Sequence, residues 1–227
     1  MAIAESLADV RTRLTAAEHR FARPEGSVAL LAVSKRKPAS AIEAAMSAGQ
    51  TRFGENHLQE AVPKIEALGR VGLEWHYIGP IQSNKTRPIA TQFDWVHGVD
   101  RLKVATRLSE QRPEDLEALQ VCIQVNVSGE DSKSGVTLDE INELAHAVSE
   151  LPRLRLRGLM TIPRPETDFE SQRKPFSVLR ARLDQLNQSG LSLDTLSMGM
   201  TDDMEAAIAE GATIVRIGTA IFGTRDA

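Results

Sequence analysis

Two parts of the chain, far apart in sequence, carry residue types that can do chemistry together. The run "LLAVSKRKP" (residues 30–38) ends an apolar, β-forming segment on Lys35, and Pro38 then closes it. A lysine at the inner end of a buried strand is either a side chain surfacing into solvent or an amine whose basicity burial lowers until it is a nucleophile. Near the C-terminus, "SMGMTDD" (197–203) and "RIGTA" (216–220) are glycine-containing turns with hydroxyls beside them, Ser197 and Thr219. Gly199 and Gly218 carry no Cβ, so backbone N–H groups can approach an anion there. Arg216 shares strand phase with Ile214 and Gly218, because side chains alternate by two. In so apolar a run an arginine needs a partner, either a structural carboxylate or an acceptor atom of a ligand near Lys35. A lysine, an arginine and a phosphate cup on one rim suit a phosphorylated aldehyde held as an imine. Asp202 and Asp203 would repel a phosphate docked on the axis of the helix they start, so the anion is expected on the preceding turn, with both carboxylates facing away.

For these groups to meet, the fold must bring strand ends together. Short β-branched runs alternate with helical patterns through the chain. The strands predicted are "VALLAVSK", "TRFGEN", "LEWHYIG", "FDWVHGVD", "LQVCIQVNV", "LRLRGLMTI", "TLSMGM" and "TIVRIGTAIFG". Between them lie helical stretches such as "PASAIEAAMSAG", "HLQEAVPKIEAL", "LDEINELAHAVSEL", "PFSVLRARLDQL" and "DDMEAAIAEG". This is an α/β pattern, read as a single (β/α)8 TIM barrel over residues 1–227. An open doubly wound sheet is the alternative, and no G-x-G-x-x-G follows the first strand to support it. The weakest helix is "SNKTRPIATQ", where Pro88 interrupts. Leu7, Val10, Leu14, Ala17 and Phe21 form one apolar stripe, predicting an extra N-terminal helix packed on the barrel. In a barrel the functional rim lies at the C-terminal strand ends. Lys35, Asn56, Gly79, Asn126, Ser128, Ser197 to Thr201, and Gly218 with Thr219 all fall there.

Composition narrows the partners. The chain of 227 residues is 41% hydrophobic with a formal charge of −4, and no block of like charge favours nucleic acid or a membrane surface. Cys122 is the only cysteine and sits in an apolar run, so no internal disulfide is expected. The N-terminus has no secretory pattern, and these features together point to the cytoplasm. The five histidines show no metal-ligand spacing, and His76 reads as a core residue. Lys85, and Lys133 in the loop "DSKSG", read as solvated side chains.

In sequence order, "AVSKRKP", "FGENHLQE", "HYIGPIQSNK", "RGLMTI", "SMGMTDDMEAAI" and "VRIGTAIFG" resemble the pyridoxal phosphate homeostasis proteins, over about Leu30 to Gly223. Such proteins are similar to the N-terminal barrel of alanine racemase (fold type III) without its second domain. The resemblance implies that Lys35 carries pyridoxal 5′-phosphate as an internal aldimine. It implies phosphate contacts from Ser197, Gly218 and Thr219, Arg216 beside the pyridine nitrogen, Asn56 near the ring and Met200 packed close by. Departures are small: Tyr77 stands where phenylalanine is common, His57 where tyrosine is common, and Thr201 where serine is common. The implied role is non-catalytic, in vitamin B6 and amino-acid homeostasis, with PLP-requiring apoenzymes as partners; with no second domain to complete the site from another chain, a monomer is expected. Two other readings use the same lysine, an amino-acid racemase and a Schiff-base aldolase. Racemisation needs a second acid/base opposite Lys35, and Tyr77 is the only tyrosine.

Overall fold

The computed structural model describes residues 2–129 and 134–223. Lys133 and Asp131 of the "DSKSG" loop lie outside them. Eight parallel strands close into a barrel in sequence order: β1 (Ala29–Val33), β2 (Arg52–Glu55), β3 (Glu74–Tyr77), β4 (Trp95–Val99), β5 (Leu119–Gln124), β6 (Leu154–Met160), β7 (Thr195–Ser197) and β8 (Ile214–Ile217). Pairing of β8 with β1, from Ala29↔Ile214 to Ala32↔Ile217, closes the sheet and excludes the open doubly wound alternative.

The helices are α1 (Ile3–Arg20), α2 (Ala39–Ser47), α3 (Leu58–Leu68), α4 (Thr86–Gln92), α5 (Leu102–Gln111), α6 (Ile141–Ser149), α7 (Phe169–Gln188), α8 (Met204–Ala209) and α9 (Thr219–Phe222). The predicted N-terminal stripe is buried at Leu7, Val10, Leu14 and Ala17, and α1 packs on α2, α8 and α9. Phe21 caps the helix and stacks on Phe169, ring centroids 5.9 Å apart. Pro88 does not abolish α4. It sits in the first turn, where its missing N–H has no helical acceptor to lose.

Several predicted strands run past the observed ends, the last one furthest. The reading "TIVRIGTAIFG" runs to Gly223, but β8 stops at Ile217 and Thr219–Phe222 turn as α9. Gly218, at φ −116° and ψ −68°, leaves extended geometry, and pairing with β1 has ended at Ile217. The apolar "AIF" that imitates a strand is packed helical surface instead.

Strand alternation divides the core. Phe53, Trp75 and Tyr77 face outward into the layer between sheet and helices. Leu31, Trp95, Cys122, Met160 and Ile214 fill the barrel interior. Burial lifts the Cys122 thiol to about 12, which keeps it protonated and inert.

Candidate functional site

Lys35 follows β1 in phase with Leu31 and Val33 and is half-buried at the C-terminal rim. A tight turn presents it, closed by the Lys37 N–H on the Ser34 carbonyl at 3.1 Å. Arg36 within that turn adopts φ +59°. A left-handed arginine is strained by roughly 1–2 kcal/mol. Its amide is held by the Glu60 carboxylate of α3 at 2.7 Å, which offsets the strain. Beneath the turn, the Ser34 hydroxyl donates to Glu55 at 2.6 Å. Lys64 of α3 donates to the same Glu55 oxygen at 2.8 Å and to the Ser34 carbonyl at 3.0 Å. Burial raises the Glu55 pKa, while Lys64 and Ser34 pull it back. The backbone bearing Lys35 is therefore pinned from below and from α3.

The register of β8 against β1 places Gly218 and Thr219 beside this turn. Val33, Lys35, Lys37, Gly218, Thr219 and Phe222 line one cavity. A Cβ on Gly218 would stand 3.2 Å from the Val33 carbonyl, so glycine keeps that approach open. Thr219 is exposed at the start of α9. Across the rim, Gly199 holds φ +96°, where a Cβ would also meet the Ala207 Cβ at 2.5 Å. Asp203 is turned back onto its own loop, accepting the Met200 N–H at 2.5 Å. Burial raises its pKa against the pull of that bond and of Arg216. Met200 is 37% exposed on the same rim.

Arg216 reaches from β8 across the barrel mouth. Nη1 donates to the Ser197 carbonyl at 2.6 Å and to Ser197 Oγ at 2.8 Å, and Nη2 donates to the Thr161 carbonyl at 2.8 Å. Burial lowers its pKa to about 10, and it stays cationic at neutral pH. Its partners are thus carbonyls and a hydroxyl rather than a carboxylate. Nε–H and the second Nη2 hydrogen have no protein partner among the described residues. Ser197 differs from the expectation of an open phosphate donor. It ends β7 facing inward, is fully buried, and its hydroxyl is shared between Arg216 and His97. Asn56, at the end of β2, buries its Oδ1 with no hydrogen-bond partner. A buried acceptor without a donor fits a site that a polar ligand completes.

Tyr77 is elsewhere engaged. Its ring packs edge-on to Phe93, and its hydroxyl donates to the Pro80 carbonyl at 3.2 Å. His76 is a core residue as expected, but not an isolated one: it is hydrogen-bonded to His97 and to Glu74. His97 and Lys64 were not singled out from sequence. His97 had a legible signal, since it lies in phase with inward-facing Trp95 on the strand next to His76. Among the described residues no cluster of ligating side chains holds a metal, and no helix is long and apolar enough to cross a membrane.

This barrel and rim are those of a family described as alanine racemase, N-terminal domain, which matches residues 6–226. Within that class, the chain belongs to the pyridoxal phosphate homeostasis protein family. It is 59% identical over 224 residues to the protein of that name from Pseudomonas aeruginosa, covering 99% of this chain and 96% of that one. The Escherichia coli K12 protein of the same name is 56% identical over 227 residues, covering 99% and 97%. The structure of PipY from Synechococcus elongatus with PLP bound matches with a TM-score of 0.85 at 39% identity, covering 97% of this chain and 100% of that one. Alanine racemase from Corynebacterium glutamicum shares the fold, with a TM-score of 0.72 at 18% identity over 100% of this chain and 62% of its own.

Proposed function

We propose that this protein binds pyridoxal 5′-phosphate in vitamin B6 and amino-acid homeostasis, holding it as a Schiff base on Lys35 without turning over a substrate. The observation that carries the reading is the cavity that Lys35 shares with Gly218 and Thr219, with the partly unpartnered Arg216 two residues before Gly218 on β8 and Asn56, whose Oδ1 has no donor, at the end of the neighbouring β2. The names of the relatives and the PLP-bound PipY structure support the ligand. The ligand supplies an aldehyde and an aromatic ring that can accept electrons.

The chain's own residues do the rest. Gly218 gives backbone access and Thr219 a hydroxyl for the phosphate. Arg216 directs a charged N–H at the pyridine nitrogen, and because it keeps its proton that nitrogen is not protonated. The ring is then a weak electron sink. Ser197 acts by holding Arg216, and Met200 and Asn56 border the ring. The Tyr77 hydroxyl is committed to Pro80, and burial pushes its pKa up. It is a poor candidate for a second acid/base, which favours storage and transfer of the cofactor to apoenzymes over racemisation. We read the chain as one domain acting as a cytoplasmic monomer.

The test is spectroscopic and enzymatic. Protein incubated with pyridoxal 5′-phosphate should turn yellow and produce no D-enantiomer, keto acid or amine from L-alanine, L-serine or L-glutamate. A colourless protein that turns over a phosphorylated sugar would indicate the aldolase. Steady turnover lost in both Lys35→Ala and Tyr77→Phe would indicate a racemase.

A further inference from the structure

A continuous string of buried polar groups crosses the barrel interior from the functional rim to the opposite one. Arg216 Nη1 lies 2.8 Å from Ser197 Oγ, which lies 2.7 Å from His97 Nδ1. His97 Nε2 is 2.8 Å from His76 Nδ1, and His76 Nε2 is 2.8 Å from Glu74 Oε1. Ser197, His76 and His97 are fully buried. Glu74 opens β3 at the N-terminal rim, where its side chain is 37% exposed and pairs with Arg52 at 3.0 Å. His76 also stacks on Trp95, ring centroids 5.4 Å apart, and the Arg157 guanidinium lies over the Trp95 ring, 4.8 Å from its centroid.

The ends of this string fix its direction. An ionised carboxylate only accepts, so His76 Nε2 carries the hydrogen and donates to Glu74. In the neutral ring Nδ1 then accepts, so His97 Nε2 is the donor between the two rings. His97 Nδ1 in turn accepts from the Ser197 hydroxyl, and Ser197 oxygen accepts from Arg216, which can only donate. Every link runs in one sense, and each hydrogen that forms a link has an acceptor. A cationic His76 would still donate to Glu74 but would reverse both links made by His97. Ser197 would then receive two donors, and its own hydrogen would have no acceptor among the described residues. Burial agrees with neutral rings: it pushes His97 well below its ordinary pKa, helped by His76 and Arg216. It also lowers His76, against the pull of Glu74 and Asp94 and with the help of Arg52.

We propose that Glu74, His76, His97 and Ser197 are positioning residues that orient Arg216 through a one-way hydrogen-bond chain anchored at the far rim. The anchored tautomers turn the Ser197 oxygen toward Arg216 and engage Nη1 from below. Nε–H and one Nη2 hydrogen are left for a ligand at the mouth. The consequence for pyridoxal 5′-phosphate rests on the functional reading above; the chain itself does not.

Two measurements test it. In the ligand-free protein at pH 7, nitrogen-15 NMR of labelled histidines should show His76 and His97 both as neutral Nε2–H tautomers. Glu74→Leu should convert His76 to a mixture of tautomers. An Nδ1–H tautomer or an imidazolium at either ring, or a single unchanged tautomer in Glu74→Leu, would overturn the chain. In protein loaded with pyridoxal 5′-phosphate, His97→Leu should speed release on dialysis about tenfold, the size of one weakened bond to a charged group. His97→Asn, which keeps an acceptor toward Ser197, should recover most of that loss. Equal release from all three proteins, or no recovery in His97→Asn, would overturn the positioning role. Wild-type protein that takes up no pyridoxal 5′-phosphate would refute the functional reading instead, and the tautomers would still decide the chain.

Discussion

Beneath the Lys35 turn, Lys64 and Glu55 touch at 2.8 Å between β2 and α3, whereas inside the barrel Arg216 and Glu74 are separated by Ser197, His97 and His76. Both regions bury charge beside the site. The contact pair neutralises its charges directly, yet it leaves Glu55 Oε2 without a partner. The interior chain keeps its charged groups at its ends and passes between them through neutral groups, each satisfied on both sides. The difference separates two tasks. The Glu55–Lys64 pair fixes where the Lys35 backbone sits. The chain fixes which way a cation points, a matter of hydrogen direction rather than of charge.

Breaking the contact pair should have the largest effect. Lys64→Met leaves Glu55 buried and uncompensated, a destabilisation of about 3–5 kcal/mol by urea unfolding. The double variant Glu55→Leu with Lys64→Met should regain most of it, because no lone charge remains. A single-variant loss under about 1 kcal/mol would remove the pair from the account of the turn.

His97→Leu should destabilise less, by about 1–3 kcal/mol, because it orphans neutral partners rather than an ion. The two regions also respond to acid with opposite sign. His76 and His97 are neutral when folded, with pKa values lowered from 6.5. Below pH 6.5 the unfolded chain takes up more protons, so stability falls by up to about 1.4 kcal/mol per pH unit for each ring. Glu55 has its pKa raised from 4.5 in the fold, so its contribution is lost as pH rises through that window and regained on acidification. Urea midpoints followed from pH 7 to 4, a range that spans the ordinary Glu value of 4.5 from which Glu55 is raised, should therefore fall more steeply in Glu55→Gln and less steeply in His97→Leu than in wild type. Parallel curves for the three proteins would contradict the burial assigned to these groups.

Arg52→Ala should have the smallest effect, within about 1 kcal/mol, since its pair with Glu74 is half exposed at 45% and 37%. Even so, it sharpens the comparison. Glu74 is held at about 2, where the His76 hydrogen bond and the Arg52 charge outweigh burial. The carboxylate should stay ionised at neutral pH without Arg52, and the histidine tautomers should not change.

What the sequence made legible follows from local periodicity. Leu31, Val33 and Lys35 alternate in phase, so the direction of Lys35 could be read before any fold was known. The same rule put Arg216 on the side of Ile214 and the Gly218 turn, and the three-and-four spacing of Leu7 to Ala17 marked α1 and its buried face. Ser197 was placed on the correct strand end, but its partners were not legible. They come from β4 and β8, 100 and 19 residues away, and only barrel closure brings them together. Lys64 was hidden for a related reason. Its helix presents an ordinary amphipathic pattern, and nothing local says that this lysine turns inward onto Glu55. The overrun of β8 into α9 arose because an apolar run after glycine has no period of its own.

The central claim is that Lys35, and not its neighbour, bonds the cofactor. Lys37 lines the same cavity two residues away, which makes the choice a sharp one. Protein loaded with pyridoxal 5′-phosphate, reduced with borohydride, digested and sequenced by mass spectrometry should carry the phosphopyridoxyl group on Lys35 alone, and the label should vanish in Lys35→Ala with the circular-dichroism spectrum retained. Label found on Lys37 or elsewhere in wild type, or undiminished labelling of Lys35→Ala, would contradict the account.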